Sequence, residues 1–258
     1  MNYWYGFSSI VYREFLKFTQ QKTRFASSLV RPLLWLVVFA AGFRAALGIS
    51  IIEPYATYIN YEEYILPGLC AMVLLFNSMQ SALSIVYDRE MGSIKLLLTS
   101  PLPRWFLILS KQIASSLVSL LQVYAFLGIA YLYGIEPPPM GFLYALPACF
   151  ITAMMLSGLG IVIASYIHQL ENFAGVMNFV IFPMFFMSSA LYPLWKMQES
   201  SEWLYQICRL NPFTYSVELI RYALYSQFNS TGTIIVVMLA LLFSLFAASQ
   251  FNLKSSSH

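Results

Sequence analysis

The chain has 258 residues, of which 59% are hydrophobic and only 10% charged, and its formal net charge is +3. Soluble domains are about 25% charged, so this composition, with a mean hydropathy of +0.69, excludes an ordinary soluble protein. The apolar runs are long and continuous rather than short and alternating, which excludes a transmembrane β-barrel and predicts an all-α, polytopic membrane protein. The small net charge gives no reason to expect nucleic acid as a partner.

Residues Tyr3 to Lys22 place apolar side chains near helical spacing, with charged and polar ones between them. The apolar set is Trp4, Phe7, Ile10, Val11, Phe15 and Phe18, and the interleaved set is Arg13, Glu14, Lys17 and Gln21. This pattern predicts an amphipathic helix in the cytoplasmic membrane interface. The alternative is a solvated arm.

Six apolar runs follow, each about as long as the roughly 20 residues that cross a bilayer. We predict spans at residues 29–47, 65–87, 106–133, 142–166, 173–192 and 233–251. Residues 1–258 then form a single transmembrane domain. It consists of a cytoplasmic segment (1–28), spans 1 to 5 (29–192), an outer region (193–232) and span 6 (233–251).

Lysine and arginine alternate between successive loops, which predicts the topology. The segment up to Arg31 holds five of them and the loop from Asp88 to Trp105 holds three. The loop from Gly48 to Tyr64 and the turn from Gly134 to Gly141 hold none. Both termini are therefore expected in the cytoplasm.

Two spans carry polar side chains along one face. In span two these are Asn77, Gln80, Ser81 and Ser84, and in span three Gln112, Ser115, Ser116, Ser119 and Gln122. Polar groups in lipid need partners, so each face meets other helices or a cavity. These polar faces could serve contacts between helices or line a translocation path, and the sequence leaves both interpretations open. A path would be lined by the span-two face, alone or together with Asn178, Phe182 and Phe185 of span five.

The outer region from Pro193 to Gly232 is too long for a plain turn. Lys196 to Glu202 is a polar connection, and the stretch from Trp203 to Cys208 is amphipathic. Asn211-Pro212 then ends one helix and begins another. We expect a pair of short re-entrant helices that dip into the membrane from outside, which requires that protein covers their backbone.

Motifs for catalysis or nucleotide binding are missing from the sequence. It has two histidines, no CxxC pair and no GxxxxGK[ST] loop. Acidic residues avoid the spans, and Arg44 and Lys111 lie close enough to span ends to reach the surface by snorkelling. We therefore expect no enzyme active site, no metal, and no cofactor bound by this chain.

Four segments together resemble the membrane permease of an ABC-2 type transporter, across nearly the whole chain. They are Arg31 to Leu36, Tyr64 to Leu69, Asp88 to Gly92 with Leu97 to Pro101, and Leu210 to Tyr215 continuing to Arg221. The resemblance implies six spans per chain, a dimer of permeases within membrane lipid, and a separate ATPase subunit that binds ATP and Mg. It also implies a bacterial inner membrane and export of a drug, lipid or glycan.

The resemblance further implies roles for particular residues. An ATPase-coupling segment contains Asp88, Arg89, Glu90, Gly92, Ile94, Leu97 and Leu98. A translocation path contains Asn77, Gln80, Ser81, Ser84, Asn178, Phe182 and Phe185. An outer re-entrant gate contains Asn211, Pro212, Phe213 and Tyr215. The alternative function is an ATP-independent carrier or an integral membrane enzyme.

Overall fold

A computed structural model describes residues 3–20, 22–43, 54–55, 60–92 and 102–253, which form ten α-helices and no strand. The all-α prediction is confirmed for this part of the chain. The helices are α1 (Tyr3–Gln20), α2 (Lys22–Phe43), α3 (Tyr61–Glu90), α4 (Arg104–Leu132), α5 (Pro139–Tyr166), α6 (Leu170–Phe186), α7 (Leu194–Ser200), α8 (Glu202–Leu210), α9 (Pro212–Leu224) and α10 (Ser230–Leu253).

Four helices are long and apolar enough to cross a membrane: α3, α4, α5 and residues Ser230–Gln250 of α10. They correspond to predicted spans two, three, four and six, with small differences at the ends. The apolar stretches in α2 and α6 are shorter, at Ser28–Val38 and Leu170–Phe186. The total of six spans therefore stays a prediction. The helix predicted near the N-terminus is present as α1, and its position in the membrane interface stays a prediction.

Helix α3 forms the centre of the bundle. Nearly every residue from Tyr61 to Met79 is buried, because α2, α4, α5, α6 and α9 all pack against this helix. Helix α10 lies at the periphery, packed on α5, and leaves large apolar side chains such as Leu241 and Leu245 exposed. Asn77 and Ser78 on α3 therefore face other parts of the protein, whereas Gln80, Ser81 and Ser84 are partly exposed.

The predicted fifth span, Phe173 to Tyr192, is wrong at its C-terminal end, because α6 stops at Phe186. Beyond that point the chain is irregular, and it is buried from Ser188 to Leu191. Carbonyl groups of this stretch bond to side chains from other helices. The hydroxyl of Tyr61 donates to the carbonyl of Leu191 at 2.8 Å, and that of Tyr64 to the carbonyl of Ser189 at 3.0 Å. These partners replace the bonds that a continuing helix would have made.

The outer region holds three short helices instead of the expected two. The stretch predicted as a polar connection, Lys196 to Glu202, instead contains most of α7, which begins after Pro193 and buries Met197 on one side. The predicted break at Asn211-Pro212 is confirmed. The Asn211 side chain accepts a hydrogen bond from the Phe213 N–H at 2.9 Å and caps α9, while Pro212 is the first residue of that helix.

Candidate functional site

Three consecutive charged residues at the end of α3 connect it to three other helices. We call Asp88, Arg89 and Glu90 the α3-end cluster. The carboxylate of Asp88 lies 3.6 Å from the ammonium group of Lys111 in α4. Lys111 is only 6% exposed, so the expectation that it reaches the surface by snorkelling is wrong. Burial of this lysine is tolerated because an acidic partner lies beside it.

The other two residues of the α3-end cluster hold the turn between α5 and α6. The Arg89 guanidinium donates to the carbonyls of Ala164, at 3.1 Å, and Ile167, at 3.5 Å, where α5 ends. The Glu90 carboxylate accepts a hydrogen bond from the Leu170 N–H at 3.1 Å, where α6 begins. A cation therefore lies at a helix C-terminus and an anion at a helix N-terminus, and both positions are favourable to the helix dipoles.

The rest of the predicted coupling segment is described only at its start. Gly92 follows α3 with a φ of +72°, a left-handed conformation that favours glycine. Ile94, Leu97 and Leu98 lie outside the described residues, so their docking role stays a prediction.

A cavity of about 710 Å³ lies between α1, α3, α4 and α6. Its polar lining consists of Asn77, Gln80, Ser81 and Ser84 from α3 and Ser115, Ser119 and Gln122 from α4. At one end it is bordered by charged residues, namely Glu14 and Lys17 of α1 and Asp88 of α3. The polar face of the second predicted span thus lies opposite part of the polar face of the third across an open space. Gln112 of the third span points elsewhere, because its side chain donates to the Met154 carbonyl of α5 and the Ser244 hydroxyl of α10.

The cavity does not include the three α6 residues predicted for the path. Asn178 and Phe182 are exposed on the surface of α6, and Phe185 is buried against Trp35 of α2 and Phe213 of α9. The structure therefore brings the α3 part of the predicted path together with a face of α4. The predicted path omitted this face of α4, although the sequence contained a signal for it in the polar residues Ser115, Ser119 and Gln122.

The predicted outer gate is bonded directly to the end of α6. The amide nitrogen of Asn211 donates to the carbonyls of Met184 and Met187, at 2.8 and 2.6 Å. Phe213 is fully buried, whereas Pro212 and Tyr215 are partly buried. The Asn211 amide therefore supplies the partners that the last carbonyls of α6 lack.

Arg221 of α9 is a buried cation that the sequence analysis assigned to an outer loop. It is 2% exposed, forms an ion pair with Glu218, and donates to the Ser189 carbonyl at 2.7 Å. Its guanidinium also lies 4.1 Å from the centre of the Tyr64 ring. Burial opposes the charge, but Glu218 and the tyrosine hydroxyls raise the pKa of Arg221 above its ordinary value. The sequence did contain a signal for this buried ion pair, because Glu218 lies three residues before Arg221 in an otherwise apolar helix.

Among the residues that the structure describes, no group of three His, Cys, Asp or Glu side chains could hold a metal ion. The three cysteines, Cys70, Cys149 and Cys208, are buried and unpaired with one another. The arrangement is that of a helix bundle with a polar cavity and with side-chain bonds at both ends of α6.

Comparisons with known proteins point in one direction. The sequence model of the ABC-2 type transporter family matches residues 5–225. The chain is 31% identical to the "Putative transport permease ycf38" of Cyanophora paradoxa over 223 residues, covering 84% of this chain and 73% of that protein. The protein of the same name from Porphyra purpurea is 29% identical over 238 residues, covering 89% of this chain and 77% of the relative.

A bacterial relative is similar over a shorter stretch. The "Probable multidrug ABC transporter permease YbhR" of Escherichia coli (strain K12) is 27% identical over 174 residues, covering 65% of this chain and 45% of that protein.

Proposed function

The chain belongs to the ABC-2 type transporter family, and on that premise we propose that it is the permease subunit of an ATP-binding cassette exporter whose ATPase is a separate chain. The proposed cargo is hydrophobic or amphipathic: a drug, a lipid or a glycan. The proposed location is a bacterial inner membrane, with six spans and both termini in the cytoplasm.

The α3-end cluster is the observation that carries the proposal. A force on the loop after Gly92 reaches the end of α3, where Asp88 binds α4 and where Arg89 and Glu90 bind the α5–α6 turn. One displacement of this end would therefore move several helices together. ATP binding would close the partner ATPases, push the loop, and rock two permease copies between inward-facing and outward-facing states.

The exposed surface of α6 supports a second permease copy as a partner. Phe179 is 79% exposed and Phe182 is 45% exposed on the same helix. A second copy would cover this surface and bring Asn178 and Phe182 to the path between the two subunits, together with the polar face of α3. The gate residues bonded to the end of α6 would then close the outer side.

The rival functions are an ATP-independent carrier and an integral membrane enzyme. A carrier commonly depends on a titrating group within the membrane. Among the described residues, the buried cations Lys111 and Arg221 are paired with Asp88 and Glu218. The buried acid Glu62 lies in the first turn of α3, at the end of that helix rather than in its middle. Pairing of this kind favours a structural role over proton or ion coupling.

Purification of the chain from its native membrane under mild conditions tests the proposal. We expect an ATPase subunit to accompany it, and vesicles containing both to move an amphipathic dye when ATP is supplied. A chain that transports the dye without any ATPase would identify an independent carrier and contradict the proposal.

Substitution of the loop-proximal residues refines the test. Glu90→Gln and Gly92→Val should lower ATP-driven transport while membrane insertion is retained. Glu171→Gln is the matched control, because Glu171 is an exposed carboxylate in the first turn of α6. Unchanged transport by both variants, with the ATPase still assembled, would contradict the coupling role.

A further inference from the structure

The cavity between α1, α3, α4 and α6 lies within a single chain, and its polar groups extend deep into the bundle. Asp88 and Lys111 fix one end of the antiparallel pair α3 and α4, at 3.6 Å from each other. Asn77 lies eleven residues before Asp88, and Gln122 lies eleven residues after Lys111. At 1.5 Å per residue both are about 16 Å from the charged pair, which is near the middle of a hydrocarbon core of roughly 30 Å.

At that depth the lining presents one unused donor and one unused acceptor. The Nδ2 atom of Asn77 and the Oε1 atom of Gln122 are both buried without a hydrogen-bond partner. The residues are 7% and 3% exposed, and both line the cavity. Such atoms cost free energy when they are unpaired, so a ligand that supplies the complementary acceptor and donor would gain from both.

Charge is confined to the mouth of the cavity. Among the described lining residues, the charged ones are Glu14, Lys17 and Asp88, and Asp88 lies at the end of α3. The interior combines amide and hydroxyl groups with apolar side chains such as Val118 and Met177. A phosphate or carboxylate would find no cation among these interior groups to offset its desolvation, whereas hydroxyl and amide groups would find partners.

We infer that this cavity binds an amphiphile whose head is uncharged and rich in hydroxyl or amide groups, with the head between Asn77 and Gln122. The Asn77 amide donates to the head, and the Gln122 carbonyl accepts from it. The apolar part of the ligand contacts the apolar side chains of the lining. This inference rests on the proposed function and narrows its substrate class. The volume of about 710 Å³ lies within the range of small-molecule sites.

Binding can be measured on the full chain in lipid nanodiscs, without ATP, by native mass spectrometry. The probes are dodecyl maltoside, dodecyl phosphate with the same chain, and free maltose. We expect dodecyl maltoside to bind and dodecyl phosphate to bind at least about tenfold more weakly. Free maltose should not bind, and binding of maltose as tight as that of dodecyl maltoside would overturn the assignment of an amphiphile. Equal binding of the maltoside and the phosphate would overturn the inference.

Near-isosteric variants test the two amides. Asn77→Leu combined with Gln122→Met should weaken binding of dodecyl maltoside by about tenfold or more, because two hydrogen bonds are lost. Thr152→Val is the matched control, since the Thr152 hydroxyl is also buried without a partner but does not line the cavity. An equal loss in the control, or no loss in the double variant, would contradict the assignment.

A labelling measurement keeps the inference testable if the double variant does not fold. A Ser81→Cys substitution places a thiol on the cavity lining, while the native cysteines are buried. Dodecyl maltoside should slow the reaction of this thiol with a maleimide, and dodecyl phosphate should not. Absence of protection, with an ATPase still co-purifying, would overturn this inference and leave the proposed permease function intact.

Discussion

The guanidinium of Arg89 donates a hydrogen bond to the carbonyl of Ala164, 3.1 Å away, although the two residues are 75 positions apart in the chain. This bond attaches the end of α3 to the end of α5. Glu90 next to it accepts from the first N–H of α6, so two adjacent residues at the end of α3 hold the turn that joins two other helices.

Arg89→Gln is expected to weaken the attachment of the end of α3 to the end of α5. It removes a charged donor to two carbonyls, and hydrogen bonds to charged groups contribute about 1.5–3 kcal/mol, so we expect a stability loss of about 1–2 kcal/mol and lower ATP-driven transport. Thermal unfolding can be followed with a thiol-reactive fluorescent dye, because Cys70, Cys149 and Cys208 are buried in the folded chain.

Arg209→Gln is the control for this variant, since Arg209 is exposed on α8. Equal melting temperatures and equal transport for the two variants would show that the Arg89 hydrogen bonds contribute neither to stability nor to coupling.

The pair of Asp88 and Lys111 is expected to show strong coupling in a double-mutant cycle. Asp88→Asn removes an acidic partner of the buried ammonium group, and because the Asp88 side chain is 25% exposed, we expect a loss of about 1–3 kcal/mol, less than for a fully buried pair. Lys111→Met, alone or combined with Asp88→Asn, should cost less, because the carboxylate that Lys111→Met leaves behind is partly exposed to solvent. Additive losses in unfolding free energy for the two single variants would contradict this.

Asn211→Asp separates the two tasks of the Asn211 side chain. The aspartate can still accept from the Phe213 N–H, but it cannot donate to the carbonyls of Met184 and Met187. We expect a loss of about 1–3 kcal/mol, measured as a lower unfolding temperature, and faster opening of the C-terminal end of α6.

Asn229→Asp is the matched control, because the Asn229 side chain accepts from the Gly232 N–H and an aspartate would do the same. It should be neutral. If both variants melt alike, the donor role of Asn211 is unimportant.

Gly141→Ala tests the close approach of α5 to the end of α9. A Cβ atom at position 141 would collide with the carbonyl oxygen of Leu224, which is backbone and cannot move freely. Overpacking typically costs about 1–3 kcal/mol. We expect a variant that unfolds at a lower temperature.

Gly128→Ala in α4 is the comparison, since a Cβ there would have no atom within 4 Å. Alanine stabilises a helix by about 0.5–1 kcal/mol relative to glycine, so this variant should be neutral or slightly more stable. A melting temperature for Gly141→Ala at or above that of the unsubstituted chain would show that the helices can separate there without cost.

Features that depend on neighbouring residues could be predicted from the sequence. The four long helices follow from continuous apolar runs, and the break at Asn211-Pro212 follows from the chemistry of two adjacent residues. The face shared by Asn77 and Ser81 follows from helical periodicity. The end of α6 could not be predicted, because the apolar run continues past Phe186 while the hydrogen bonds that end the helix come from Tyr61, Tyr64 and Asn211.

For the candidate site too, local features could be predicted from the sequence, whereas contacts between helices could not. The charged end of α3 and the polar stripes were visible as patterns, but a pattern does not show which residues meet across the bundle. Lys111 seemed able to reach water, yet it is buried against Asp88. Arg221 seemed to belong to an outer loop, yet it bonds to the backbone of Ser189.

By itself, the sequence determined a membrane-embedded helical protein with a charged segment after its second apolar run, and its resemblance to a known family added the permease assignment. Apolar length and local spacing act within one helix, so these properties need no knowledge of the neighbours. Only the tertiary structure decided that Arg89 and Glu90 hold the α5–α6 turn and that Asn77 and Gln122 line one cavity. Those relationships depend on which faces pack together, and burial of the whole bundle, not any single segment, selects that packing.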